Sequence, residues 1–163
     1  YFPYSKLEKL VLDIEQKLNS QEFRKENPWI GSDIKIMGFR YQDDYDITLC
    51  IPQIGKWVKD IKGYKNNLSH GEKVIESIAV SLGVKKIKLH INTRDNYENS
   101  ELYLTAIGSS IESGDEGLVG RGNRINGVIS PMRRMSMEGA CGKNPVYHIG
   151  KIYYVAAQEI SKK

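Results

Sequence analysis

The sequence predicts an α+β fold: a small, mainly antiparallel sheet with helices packed on one face, followed by a long glycine-rich loop. Three observations predict it. Two Ser-x-x-Glu capping boxes precede stripes of apolar residues at helical spacing. Four short segments (33–40, 45–51, 86–92 and 101–107) carry the apolar alternation of half-buried strands. The stretch 113–151 then breaks both periods, holding eight of the fifteen glycines and six Arg or Lys side chains.

The first box is Ser5 to Glu8, where hydroxyl and carboxylate satisfy free amides at a helix start. Leu7, Leu10, Val11, Ile14 and Leu18 follow as one stripe. A polar connection with Pro28 and Gly31 as breakers leads to strands 33–40 and 45–51, joined by a turn around Gln42-Asp43-Asp44. Trp57, Val58 and Ile61 predict a short helix. Ser69 and Glu72 predict the start of another, with Val74, Ile75, Ile78 and Leu82 as its stripe and Gly83 as its stop. Ile87, Leu89 and Ile91 mark strand 86–92, and Leu102, Leu104 and Ala106 mark strand 101–107. After the loop, Asn144 and Pro145 predict the N-cap and first turn of a last helix. Its stripe is Val146, Ile149, Tyr153, Ala156 and Ile160, and Ile152, Tyr154 and Val155 make other faces apolar too. Such a helix is normally buried on several sides, which implies cover from elsewhere.

At 163 residues with 40% hydrophobic content, the chain fits a single folded domain. Cys50 and Cys141 sit in unlike contexts and form neither a disulfide framework nor a metal motif, so a reducing compartment and the cytoplasm are expected. No apolar run approaches the roughly 18 residues of a membrane span, so no membrane partner is expected. The chain opens at Tyr1 without an initiator Met and ends in AAQEISKK, as a fragment of a larger protein would.

The chemistry concentrates in 113–151. Arg121 and Arg124 flank Gly122-Asn123, and an arginine fork beside glycine backbone suits phosphate oxygens. A solvated surface turn would carry the same residues. Asp115, beside Glu116 and between Gly114 and Gly117, could hold an ammonium, a ribose hydroxyl or hydrated Mg2+, or be an acidic turn. Lys143 lies directly before the predicted last helix, whose free amides attract anions. His70, His90 and His148 show no metal-ligand spacing. Met132, Met135 and Met137 read as packing residues.

GDEGLVGRGNRINGVISPMRRMSMEGACGKNPVYHIGKIY resembles a signature of the archaeal-type S-adenosylmethionine synthetases (methionine adenosyltransferases). LVLDIEQKLNSQEF, IGSDIKIMGFR and LHINTRDNYENSELYLTAIGSS look like successive pieces of the same family. The resemblance implies that methionine sulfur attacks C5′ of ATP, displacing triphosphate that is then hydrolysed to phosphate and diphosphate. It implies Mg2+ and K+ as cofactors of the full enzyme and sites formed between subunits of a homodimer. Residues 1–163 would be a single central domain, with the N-terminal section and C-terminal domain absent and the fragment alone inactive. More distant relatives share Gly-Asp-x-Gly-x-x-Gly-Arg and Ser-Gly-Lys-x-Pro. By that pattern Arg121 and Lys143 would bind polyphosphate and Asp115 the methionine or adenosine portion. Arg124 would be a further substrate contact, by its charge and the archaeal pattern. Glu116, Leu118, Cys141 and Tyr147 depart from the usual Asp, Ser, Ser and Asn.

Two other classes fit the composition. A non-catalytic RNA-binding module would explain the net charge of +4 and the Arg-Gly loop, but 105–146 holds no Phe, Trp or Tyr to stack on bases, so nucleic acid is not the expected partner. A dimerisation domain with a purely structural loop is the other.

Overall fold

The computed structural model describes residues 3–109, 123–133, 146 and 149–162. Two compact units result: Tyr4–Ser110, and Ile111–Lys163 with Tyr1–Pro3.

The first unit opens with α1 (Lys6–Asn19). The predicted capping box is present: the Glu8 N–H donates to Ser5 Oγ at 3.2 Å, and the Ser5 N–H to Glu8 Oε2 at 2.8 Å. Ser20 ends α1 and caps a helix the sequence reading missed, α2 (Gln21–Glu26), which buries Phe23. Strands β1 (Lys35–Tyr41) and β2 (Asp44–Cys50) form the expected antiparallel hairpin, turning through Gln42 at φ 52°. The short strand β3 (Gln53–Ile54) and a 3₁₀ turn at Gly55–Trp57 follow, the latter in place of the predicted short helix.

Helix α3 corrects the expectation most. It runs Ile61–Ser81 from an Asp60 cap whose Oδ1 accepts from the Gly63 N–H at 2.6 Å. Ser69, Glu72 and His70 therefore lie inside it, not at its start. The buried side, Tyr64, Leu68, Gly71, Ile75 and Ala79, is one unbroken stripe, so the interior amides need no second cap. Gly83 at φ 68° stops the helix as predicted, with the Val84 N–H returning to the Ala79 carbonyl at 2.9 Å.

A helix of 21 residues spans about 30 Å, enough to carry the chain back along the sheet, so β4 (Lys86–Ile91) pairs with β2 in parallel. The three-stranded sheet is thus mixed, in the order β1-β2-β4, rather than mainly antiparallel. The predicted strand at 101–107 contracts to β5 (Leu104–Thr105), which pairs in parallel with β3 as a separate two-stranded sheet.

Helix α1 packs on β1 and on α3, and α3 packs on β4. Ile36, Tyr45, Ile47, Leu49 and Ile87 face these helices and join Leu10, Ile14, Tyr64 and Ile75 in the core. A methyl added at Gly38 would stand 2.8 Å from Leu7 Cδ1 and 3.0 Å from Val11 Cγ2, so glycine lets α1 sit this close to the sheet. The other face leaves Met37, Phe39 and Tyr41 exposed.

In the second unit, 123–133 is irregular and α4 (Gly150–Ser161) closes the description. The predicted cap at Asn144 and Pro145 lies outside the described residues. Ile149 is 62% exposed, Tyr153 69% and Ile160 73%, and α4 buries no residue. Met132, read as a packing residue, is 91% exposed.

Candidate functional site

Of the four site residues read from the sequence, Arg124 is described, while Asp115, Arg121 and Lys143 lie outside the described residues, as do Glu116 and Cys141. Arg124 occupies a tight turn. The Gly127 N–H donates to the Arg124 carbonyl at 2.8 Å, and the Arg124 N–H reaches the Val128 carbonyl at 3.4 Å. The Val128 N–H donates to Asn126 Oδ1 at 3.3 Å, and Gly127 supplies the φ of 89° that closes the turn. Val128 is buried. Nearby, Arg133 Nη2 donates to the Pro3 carbonyl at 2.9 Å. The sequence motif Arg-x-Asn-Gly-Val therefore sets a cation on a backbone turn locked by its own glycine and asparagine.

The chain reaches the glycine-rich stretch from a strongly fixed root. Gln53, fully buried, accepts from Asn67 Nδ2 at 2.8 Å and donates through Nε2 to the Tyr64 carbonyl at 3.1 Å. Asn92, 6% exposed and at φ 48°, accepts from the Ile51 N–H at 2.7 Å through Oδ1. Its Nδ2 donates to the Ile51 carbonyl at 2.9 Å and to the Tyr64 hydroxyl at 2.8 Å. That hydroxyl donates to Asp95 Oδ2 at 2.7 Å. Asp95 Oδ1 in turn accepts the Tyr103 N–H at 3.1 Å, one residue before β5. Burial, and then the Asp95 hydrogen bond, push the Tyr64 phenol well above its ordinary range.

At the surface beside this network, Asp33 pairs with Lys35 and accepts from the Tyr103 hydroxyl at 3.2 Å. Burial opposes the Lys35 charge, but the Asp33 hydrogen bond and charge outweigh it and raise its pKa. Sequence reasoning singled out none of these residues, because the network joins segments distant in the chain. Local spacing carries no such signal.

Elsewhere, an open groove of about 240 Å³ runs between α3 and β4 over Leu68, Leu89 and Ile91. Its lining includes both Lys65 and Glu72, and Lys65 Nζ sits 4.0 Å from the centre of the Tyr97 ring. Opposite charges on one rim do not make a polyanion site. His70 is exposed on α3, and its ring stacks on Phe23 at 5.9 Å between centroids. His90 Nε2 lies 3.2 Å from Asp46 Oδ1. Among the described residues no three His, Cys, Asp or Glu side chains converge as a metal site. No helix among them is long and apolar enough to cross a membrane.

An α+β unit with a fixed root leading into a glycine- and arginine-rich stretch is the frame in which the sequence comparisons fall. The chain belongs to the S-adenosylmethionine synthetase (AdoMet synthetase) family, whose profile matches residues 1–163. It is 44% identical, over all of its own length and 41% of the relative's, to a probable S-adenosylmethionine synthase of Aquifex aeolicus. The S-adenosylmethionine synthase of Pyrococcus furiosus is 43% identical over 99% of this chain and 40% of its own. That of Natronomonas pharaonis is 42% identical over 98% and 40%. The chain thus spans about two fifths of the length of these relatives.

Proposed function

We propose that this chain is the central part of a methionine adenosyltransferase, and that 113–151 supplies contacts to the polyphosphate of ATP and to the substrates. One observation carries the reading. The family match is continuous through the stretch that holds Gly114-Asp115-Glu116-Gly117-Leu118-Val119-Gly120-Arg121 and Gly142-Lys143-Asn144-Pro145.

The chemistry requires little covalent help. A lone pair on methionine sulfur forms the bond to C5′, and the C5′–O bond breaks with its electron pair leaving on triphosphate. Negative charge therefore grows on the leaving group. Fixed cations that meet it there lower the barrier by electrostatic stabilisation. Arg121 supplies a planar fork and Lys143 a point charge. Asp115 orients the methionine ammonium or the adenosine, and Arg124 adds a substrate contact from its locked turn. Triphosphate is then hydrolysed to phosphate and diphosphate. Mg2+ and K+ belong to the full enzyme, as do a second subunit of a homodimer and the flanking parts. A cytoplasmic location is part of the same reading, and 1–163 acts as one central domain. By itself the chain is expected to form no S-adenosylmethionine over multiple turnovers, a claim that labelled methionine would check.

The direct test is calorimetric titration of this chain with tripolyphosphate and Mg2+. Saturable binding is expected, lost in Lys143→Ala and weakened in Arg121→Ala, with a smaller loss in Arg124→Ala. Absence of binding by the chain, or binding unchanged in Lys143→Ala, would overturn the assignment.

A further inference from the structure

We propose that Asn126 is a self-modification site, converting to aspartate or isoaspartate through attack by the Gly127 nitrogen, and that the turn around it sets the rate. The inference stands on this turn alone and is independent of the polyphosphate reading.

Asn126 is the only asparagine in the chain that a glycine follows. An asparagine carboxamide and the next backbone nitrogen are spaced to close a small imide ring, and glycine, with no Cβ, leaves that nitrogen unshielded. The Gly127 nitrogen gives its proton to solvent and bonds to Asn126 Cγ. The Cγ–Nδ2 bond then breaks and ammonia leaves. Water opens the imide in either of two ways. Opening at Cγ leaves an ordinary aspartate, while opening at the Asn126 main-chain carbonyl leaves the chain running through Cγ, as isoaspartate. One water enters and one ammonia departs, with no change of oxidation state.

In the folded chain both reacting groups are engaged. The Gly127 N–H donates to the Arg124 carbonyl at 2.8 Å, and Asn126 Oδ1 accepts the Val128 N–H at 3.3 Å. Ile125 and Asn126 keep negative φ while Gly127 takes φ 89°. That is the pattern of a type I turn followed by a left-handed glycine, and the Arg124 N–H to Val128 carbonyl bond at 3.4 Å closes it. Val128 anchors the far side at 8% exposure, and Asn126 itself is half-buried. Taking the proton from Gly127 breaks the first bond, and swinging Cγ onto the nitrogen breaks the second. Ring closure therefore waits for the turn to open, a restraint the unfolded chain lacks. Each conversion sets a carboxylate in the turn that holds Arg124, and isoaspartate also lengthens the main chain there.

The test incubates the chain in oxygen-labelled water at mildly alkaline pH, folded and in denaturant, and reads label at Asn126 by peptide mass spectrometry. Label enters as water opens the imide, so aspartate already present is not counted. Asn126 is expected to take up label in denaturant, and at least about tenfold more slowly in the folded chain. Ile125→Pro separates this turn from folding in general, because proline is favoured at the first central position of a type I turn. It should slow labelling of the folded chain by about a further threefold and leave the rate in denaturant unchanged. No label at Asn126 in denaturant would remove the site. A difference between folded and denatured chain of less than about tenfold overturns the control by the turn. So does labelling of folded Ile125→Pro that is as fast as in the unaltered chain, or faster.

Discussion

The units Tyr4–Ser110 and Ile111–Lys163 treat apolar side chains in opposite ways. In the first, one side of each of the long helices α1 and α3 is apolar and that side is buried. In the second, α4 carries apolar residues on several faces and buries none of them. A stripe one face wide specifies its own partner, here the inner face of the sheet. A helix apolar all round specifies only that partners exist. The first unit therefore covers its own apolar faces, and the second holds the glycines and cations proposed to contact polyphosphate.

Truncations in the first unit should show the largest effects. Ile47→Ala removes a fully buried side chain from the central strand and should cost about 4 kcal/mol in denaturant unfolding. Asn92→Ala should cost about 3 kcal/mol, since it strips both partners from the Ile51 peptide groups and forces alanine to φ 48°. A loss under about 1 kcal/mol in either would mean the core is not as tightly specified as the comparison holds.

Tyr64→Phe sits lower on the scale, at about 1–2 kcal/mol near neutral pH, because it deletes a hydroxyl that serves Asn92, Asp95 and Tyr103. It also carries a pH signature. Burial and Asp95 raise the phenol above its ordinary 10.0, so the folded protein keeps a proton that the unfolded chain releases. Stability from this group is therefore complete below about pH 10 and declines as pH rises beyond it. Denaturant midpoints between pH 9 and 11 should fall less steeply in the Phe variant. The smallest effect belongs to α4: Ile160→Ala should change stability by less than about 0.5 kcal/mol, and a larger loss would show that its apolar surface is buried in solution.

Local signals were legible in the sequence. Ser5 and Glu8 marked a helix start, Gly83 a stop, and the alternation at Tyr45, Ile47 and Leu49 a strand face, because each is fixed by neighbours within a turn or two. The parallel pairing of β4 was not. Ser69 and Glu72 matched a capping pattern while the real cap, Asp60, stood nine residues before Ser69, and that error hid the long crossover. Strands of two residues, β3 and β5, carry too few positions to show a period. For the candidate site, Asp115, Arg121, Arg124 and Lys143 stand out in the sequence only as residue types beside glycine; three lie outside the described residues, and the structure adds the turn that holds Arg124. The contact of Gly31 with Gly108, where an added methyl would stand 2.7 Å from the facing backbone, was not legible, since it joins backbones distant in the chain and glycine alone does not say what it touches.

Hydrogen exchange along the chain, with and without Mg2+-tripolyphosphate, tests most directly the division between support and binding stretch. The account predicts new protection within 113–151 and little change in Tyr4–Ser110, whose helix and strand amides are already hydrogen-bonded. Protection confined to the groove between α3 and β4, or none in 113–151, would contradict it.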